Sequence, residues 1–131
     1  MDFAKGQRAE VGKRGEDLAL EFLESRNMRL VARNWRCGHK ELDLIMYDGK
    51  FLRIVEVRSL YYPNVQRPAE SINRKKKTLV MRAARRFVSL HKIKNEIAFD
   101  VVSVVMNGEF SSVENDNRYN NLFWRRVYLV W

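Results

Sequence analysis

Glu41, Asp43, Glu56 and Arg58 fall within one short stretch whose other residues are mostly apolar, β-branched or aromatic. Acidic side chains inside such strands are costly unless a partner compensates their charge. A divalent metal is an economical partner, and metal-assisted phosphate chemistry is the function it points to. The spacing supports a geometry. Glu41-Leu-Asp-Leu-Ile-Met-Tyr47 alternates, placing Leu42, Leu44 and Met46 on one face and Glu41, Asp43, Ile45 and Tyr47 on the other. Asp48-Gly49 is a two-residue hairpin signal, and Phe51–Arg58 reads as the second strand. A two-residue turn pairs Tyr47 with Lys50 and sets Asp43 opposite Ile54 and Glu41 opposite Glu56. Asp43 and Glu56 become diagonal neighbours about 7–8 Å apart, close enough to share a hard cation. All four charged residues then point from one face. A turn one residue longer would turn one strand over and scatter them. The plainer alternative is a hairpin whose charged face is simply solvated.

The flanking segments must hold this hairpin in place. Residues 1–9 read as a loose basic arm. A helix is predicted from about Val11 or Gly15 to Arg26, packed through Leu18, Ala19, Phe22 and Leu23. Glu16 lies on the flank of that face, where a carboxylate also suits the first turn of a helix. Met28 to Trp35 reads as a strand leading into the hairpin. Tyr61 through Pro68 reads as a loop, because two prolines and Asn64 break any ladder. A second helix is predicted over 69–90, with Ile72, Leu79, Val80, Ala83, Phe87 and Leu90 as its apolar stripe. Lys76 falls in line with that stripe. It either snorkels to the edge of the core or reaches toward the acidic site. Ile97 to Met106 reads as a buried strand with Asp100 near its start. Asn107-Gly108 is another hairpin signal, followed by a strand to Val113, and Glu114–Asn121 reads as a mobile loop. Leu122–Trp131 is apolar and aromatic, and its pattern fits helix and strand equally. Trp124, Tyr128 and Trp131 suit packing or dimer contacts better than base stacking.

The bulk properties narrow the class. The 131 residues suffice for one domain with one hydrophobic core. No apolar run reaches membrane-span length and the N-terminus has no apolar signal region, so a cytoplasmic protein with no membrane association is expected. Cys37 is the only cysteine, which excludes an internal disulfide; with His39 alone beside it, a structural zinc is not expected. The formal net charge is +9. Residues 67–94 carry ten Lys/Arg and only Glu70, a net of +9, while the remaining fifteen basic and fifteen acidic residues cancel. The entire excess sits in one segment, as a phosphate-tracking surface requires. A solvated helix face is the ordinary alternative.

The order helix, three strands, helix, strand, with acids on the second and third strands, resembles the restriction-endonuclease-like fold. That is an α/β fold with a mixed β-sheet flanked by helices, in the order α-β-β-β-α-β. More narrowly, the chain resembles the uncharacterised bacterial UPF0102 (YraN-like) family, which is related to archaeal Holliday-junction resolvases. The matching stretches are Gly15-Glu16, Arg33-Asn34-Trp35-Arg36, Glu41-Leu-Asp-Leu-Ile45, Val55-Glu-Val-Arg58, Ser71-Ile72 through Lys76 to Ala84, and Phe99-Asp-Val-Val102. They cover roughly residues 12–105. The resemblance implies a PD-(D/E)xK-type site, with Asp43 as the aspartate and Glu56 and Arg58 at the (D/E)xK positions. Glu16 would be the acidic residue that resolvase-like members place beside the metal, and Lys76 matches the recurrent helix lysine. Two positions depart from the pattern. Lys40 stands where the family often has glycine, and Arg58 stands where lysine is usual. Lysine can lose a proton or orient water; arginine stays charged and serves only to stabilise charge on phosphate.

The leading expectation is therefore a metal-dependent DNA endonuclease that selects branched DNA. Asp43, Glu56 and the main-chain carbonyl of Val57 would bind Mg²⁺ (or Mn²⁺), with Glu16 completing the site directly or through water. Arg58 would stabilise the charge building on the phosphate, with Lys76 standing in for the missing lysine. Arg74, Lys75, Lys77, Arg82, Arg85 and Arg86 would grip the nucleic-acid backbone, positioning the substrate without reading bases. A homodimer could present two sites to two strands. One rival is a nucleic-acid-binding module of nuclease fold that does not cut. Another is a scaffold whose aromatic C-terminus recruits a protein partner.

Overall fold

A computed structural model describes residues 5–61, 74–106, 113–116 and 126–130, with side chains over 12–59 and 75–104. The hairpin that carries the acids is formed by β2 (Lys40–Tyr47) and β3 (Leu52–Tyr61). Its turn corrects the expectation. Tyr47 pairs with Leu52, not Lys50, so the connection is four residues long. Asp48 explains the extra length: its Oδ1 accepts the N–H groups of Lys50 (2.9 Å) and Phe51 (2.7 Å), while Gly49 supplies a φ of +96°. Two added residues shift the register but keep every side chain on its own face. The paired residues run to Leu44 opposite Val55, so one further step sets Asp43 opposite Glu56 rather than Ile54.

Around the hairpin the sheet runs β1-β2-β3-β4-β6-β5, where β1 is Arg29–Cys37, β4 Ile97–Met106, β5 Val113–Asp116 and β6 Arg126–Val130. The β1–β2, β2–β3 and β5–β6 pairs are antiparallel, and β3–β4 and β4–β6 are parallel. The α-β-β-β-α-β order and the mixed sheet are those expected. The C-terminal segment, open between helix and strand in sequence, contributes β6. Glu114–Asp116, read as loop, belong to β5. The rest of that loop, residues 62–73 and Trp131 lie outside the described residues, as do the side chains of Tyr128 and Arg74.

The helices cover opposite faces. Helix α1 (Lys5–Ser25) packs Ala19, Phe22 and Leu23 onto Leu44, Met46, Val55, Val102 and Val104. Helix α2 (Arg74–Leu90) packs Val80, Ala83, Ala84 and Phe87 onto Ile45, Ile54, Phe99 and Val101. Residues 5–9, read as an arm, are helical. On α2 the stripe is narrower than expected, since Leu79 and Leu90 are exposed and Ala84 is buried. The inward positions are 76, 80, 83, 84 and 87, and Leu79 sits about one residue's rotation off them. Both helices stop in the same way. Asn27 (φ +65°) and Lys92 (φ +52°) take the left-handed position, and the following N–H groups of Met28 and Ile93 return to the carbonyls of Leu23 and Val88. Among the described residues no helix is long and apolar enough to cross a membrane.

Two contacts lock this frame. Gly15 is where α1 crosses β3: a Cβ there would overlap the Oγ of Ser59. Arg53 is buried between Asp48 and the wholly buried Asp100, donating to Asp48 Oδ2 (2.6 Å) and to Asp100 Oδ1 and Oδ2 (3.1 and 3.0 Å). This triad ties the turn to β4. Burial pushes the Asp48 carboxyl up, but the Phe51 N–H, Arg53 and the Lys50 N–H outweigh it and hold the group down at about 2.

Gly15→Ala is expected to cost about 1–3 kcal/mol by overpacking, and Ser59→Ala in the same chain to recover part of the loss. Urea unfolding of the three variants checks this. Asp100→Ala leaves the Arg53 guanidinium buried beside a single carboxylate and is expected to cost about 3–5 kcal/mol; a loss under 1 kcal/mol in the same assay would contradict it.

Candidate active site

The site begins where β2 and β3 part. Their ladder ends at Leu44 and Val55, and the next free N–H, that of Val57, donates to Asp43 Oδ2 at 2.8 Å. A side chain thus takes a hydrogen bond that a carbonyl would take in a continuous sheet. Asp43 is drawn into the gap between the strands, where burial raises its pKa and the Val57 N–H opposes the rise. Lys40 and Lys76 lower it further from nearby.

Glu56 lies beside it on the α2 side and is almost fully buried. Its Oε2 receives the ammonium of Lys40 at 3.2 Å, while Oε1 has no hydrogen-bond partner among the described residues. Burial, then the charge of Asp43, push the Glu56 carboxyl up to about 7. Arg58 follows on the same face, and burial lowers its pKa against the opposing pull of Glu56. Ser103, the residue of β4 in register with Arg58, is also buried, and its Oγ has no partner among the described residues. Lys76, half-buried on the inward line of α2, has its pKa lowered by burial and feels the charges of Glu56 and Asp43.

Glu41 and Glu16 lie elsewhere. With Gly12, Lys13, Arg33 and Asn34 they line a cleft of about 470 Å³ between α1 and β1–β2. The expected single face for Glu41, Asp43, Glu56 and Arg58 is therefore corrected for Glu41. The reason is a break in alternation. Arg33 and its partner Leu44 face α1, yet Trp35 and its partner Leu42, two residues along each strand, pack on the α2 side, with Trp35 edge-on to Phe87 (5.2 Å). Between them lies Asn34, with a φ of +52°. In the orientation that satisfies its neighbours, the Asn34 amide nitrogen donates to Oε1 of Glu16 (2.8 Å) and to Oε1 of Glu41 (3.0 Å). Glu16 also accepts from Arg33 Nε at 3.4 Å. Burial, then the charge of Asp43, raise its pKa. Glu16 thus touches the cluster by its field and is anchored to β1.

Among the described residues no three His, Cys, Asp or Glu side chains converge closely enough to hold an ion by themselves. Asp43 and Glu56 offer two carboxylates and one unused buried oxygen. A cation between them would need main-chain, water or phosphate oxygens to complete its shell, as magnesium sites commonly do. The basic residues divide. Lys75, Arg82 and Arg85 are exposed on the side of α2 turned away from the sheet, Arg86 is exposed on its flank, and Lys77 is half-buried. Among the described basic side chains of α2, Lys76 is the one on the inward line, where it feels the charges of Glu56 and Asp43. The sequence reading named Lys40, Asn34 and Asp100 but not the contacts they make with Glu56, with Glu16 and Glu41, and with Arg53. An asparagine inside a strand was a usable signal for a left-handed residue; nothing in the spacing pointed to Lys40.

Fold and cluster together define an α/β protein with a buried acidic site at a split in a mixed sheet. The chain belongs to the uncharacterised protein family UPF0102, the YraN-like group, whose model matches residues 15–104. Similar UPF0102 proteins include one from Myxococcus xanthus, 34% identical over 86% of this chain and 90% of its own length. Another, from Nocardia farcinica, is 38% identical over 77% and 80%. One from Porphyromonas gingivalis is 30% identical over 83% and 81%. The matched residues contain Glu16, Asp43, Glu56, Arg58 and Lys76.

In the metal-free protein Glu56 binds its proton more tightly folded than unfolded. Its contribution to stability is complete below about pH 4 and is lost as pH rises through about 7. Glu56→Gln should remove that slope and raise the unfolding free energy at pH 8 by up to roughly 3 kcal/mol. Thermal melts from pH 4 to 9 in the presence of a chelator check it; parallel curves for the two proteins would contradict it.

Proposed function

We propose that this chain is a metal-dependent endonuclease that hydrolyses phosphodiester bonds in DNA and favours branched substrates. The observation that carries the reading is the pairing of half-buried Asp43 with buried Glu56, one carboxylate oxygen of Glu56 having no partner among the described residues. Two carboxylates held this close, both with raised pKa values, repel one another unless protonated or joined by a cation. Asp43, Glu56 and the main-chain carbonyl of Val57 would hold Mg²⁺ or Mn²⁺, and Glu16 would act through water. When bound, the cation supplies Lewis-acid polarisation of the phosphate and a more acidic water. Arg58 holds a permanent positive charge beside Glu56 and would stabilise the charge gathering on the phosphate oxygens, without serving as a base. Lys76 would add a second donor from α2. The outward residues Lys75, Arg82, Arg85 and Arg86 would hold backbone some distance from the cut bond, a division of labour that suits a substrate with more than one arm. A homodimer with two such sites extends the same reading.

Two observations favour a second reading. The Lys40 ammonium sits 3.2 Å from Glu56 and already supplies a positive charge there, and Arg58 replaces the usual lysine. Both features fit a module that binds nucleic acid without cutting.

Labelled four-way-junction, flap, single-stranded and linear duplex DNA, incubated with the purified chain and Mg²⁺ or Mn²⁺, separates the two. The nuclease reading expects cutting that an Asp43→Asn/Glu56→Gln variant lowers by at least a hundredfold with unchanged binding. It also expects affinity that falls about tenfold or more between 50 and 200 mM salt. Binding of all four substrates with no product in either metal would overturn it in favour of the non-cutting module.

A further inference from the structure

Asn34 combines two properties that meet at the acidic cluster. The first belongs to its backbone. Pairing of β1 with β2 keeps one register from Ala32 opposite Ile45 to Cys37 opposite Lys40. In an unbroken ribbon Arg33 and Trp35 would share a face, as would Leu44 and Leu42. They do not: Arg33 reaches Glu16 on α1, whereas Trp35 and Leu42 pack beneath α2. The change of side falls at Asn34 and at Asp43, the residue that continues the register opposite it. A left-handed residue in one strand reorients its neighbours in this way, and asparagine is among the few residues besides glycine that adopt it readily. The switch carries Glu41 toward α1 and leaves Asp43 at the seam, where it reaches the Val57 N–H.

The second property belongs to the side chain. In the orientation that satisfies its neighbours, one amide nitrogen spans two carboxylates, at 2.8 Å from Glu16 and 3.0 Å from Glu41. These acids come from a helix and a strand far apart in sequence, and their like charges would separate them in the absence of a shared donor. Arg33 assists from the Glu16 side, and Arg36 from the exposed side of Glu41, each at 3.4 Å. Neither reaches both.

We propose that Asn34 is the positioning residue of the acidic site: its left-handed backbone delivers Asp43 to the seam, and its amide ties Glu16 to Glu41 in the cleft on the α1 side of that seam. The inference rests on the nuclease reading only for its consequence in catalysis; the positioning itself is measurable without metal or substrate.

Two substitutions separate the properties. Asn34→Gly keeps the left-handed conformation accessible and removes the amide. Asn34→Val keeps a side chain of similar size and disfavours that conformation. Amide-proton exchange read by NMR in metal-free protein reports on Asp43 through the Val57 N–H. That proton should stay protected in wild type and Asn34→Gly and exchange at least tenfold faster in Asn34→Val, relative to the sheet N–H of Val55 as internal control. The Asn34 side-chain amide protons should be protected in wild type and exposed in Glu16→Ala/Glu41→Ala. Asn34→Gly should also weaken Mn²⁺ binding about tenfold by calorimetry and lower kcat with KM for DNA nearly unchanged. Solvent-rate exchange of the wild-type Asn34 side-chain amide, or unaltered Val57 protection in a folded Asn34→Val protein, would overturn the proposal. If wild type neither binds Mn²⁺ nor cuts, the nuclease reading fails by itself, and protected Asn34 and Val57 protons would still uphold the positioning role.

Discussion

The hydrogen bond from the Val57 N–H to the Asp43 carboxylate is the constraint on which the site depends. A mixed sheet would ordinarily satisfy that N–H with a carbonyl of the neighbouring strand. Here the two strands separate after Leu44 and Val55, and a side chain closes the gap. The substitution has two effects. It fixes a half-buried carboxylate at the gap between the strands, and it does so beside Glu56, whose own burial follows from facing α2. An acid that would otherwise be expelled from the interior is retained because it completes the backbone accounting.

Retaining two acids has an electrostatic cost, visible as the upward push on Glu56, Asp43 and Glu16. Burial is the largest cause in each. The surrounding cations, Lys40, Lys76 and Arg58, offset it in part, and burial lowers the pKa of the last two in turn. The cluster is therefore poised: charges of both signs are held at close quarters, and one carboxylate oxygen is left over. The remote Arg53 triad contrasts with it. There a guanidinium meets both partners with short, directed bonds, and Asp48 is held well below its ordinary range. The same residue types anchor the fold in one place and leave an unsatisfied site in the other, and the difference lies in how completely the hydrogen bonds close.

Much of the architecture was legible because it follows from local rules. The element order, the strand from Ile97 to Met106, the inward faces of α1, and Asp43, Glu56 and Arg58 as neighbours are consequences of two- and 3.6-residue periodicity. The turn at Asp48 was mislocated by two residues because Asp48 uses its own side chain to satisfy Lys50 and Phe51, a choice that the Asp-Gly pair alone does not reveal. The error preserved the constellation, since an even shift leaves the pleat unchanged. Glu41 was misplaced for the opposite reason: alternation along the ribbon breaks at the left-handed Asn34 and its register partner Asp43, which periodicity does not foresee.

Composition and spacing along single elements were enough to assign Asp43, Glu56 and Arg58 to their strands and to place the excess charge in residues 67–94, most of it on α2. The meeting of Lys40 with Glu56, the place of Asn34 between Glu16 and Glu41, and the outward turn of Lys75, Arg82 and Arg85 against the inward line of Lys76 appear only once the elements pack. Those facts depend on the rotation of a helix over a sheet and on the divergence of two strands, and neither is set by the periodicity of any one segment.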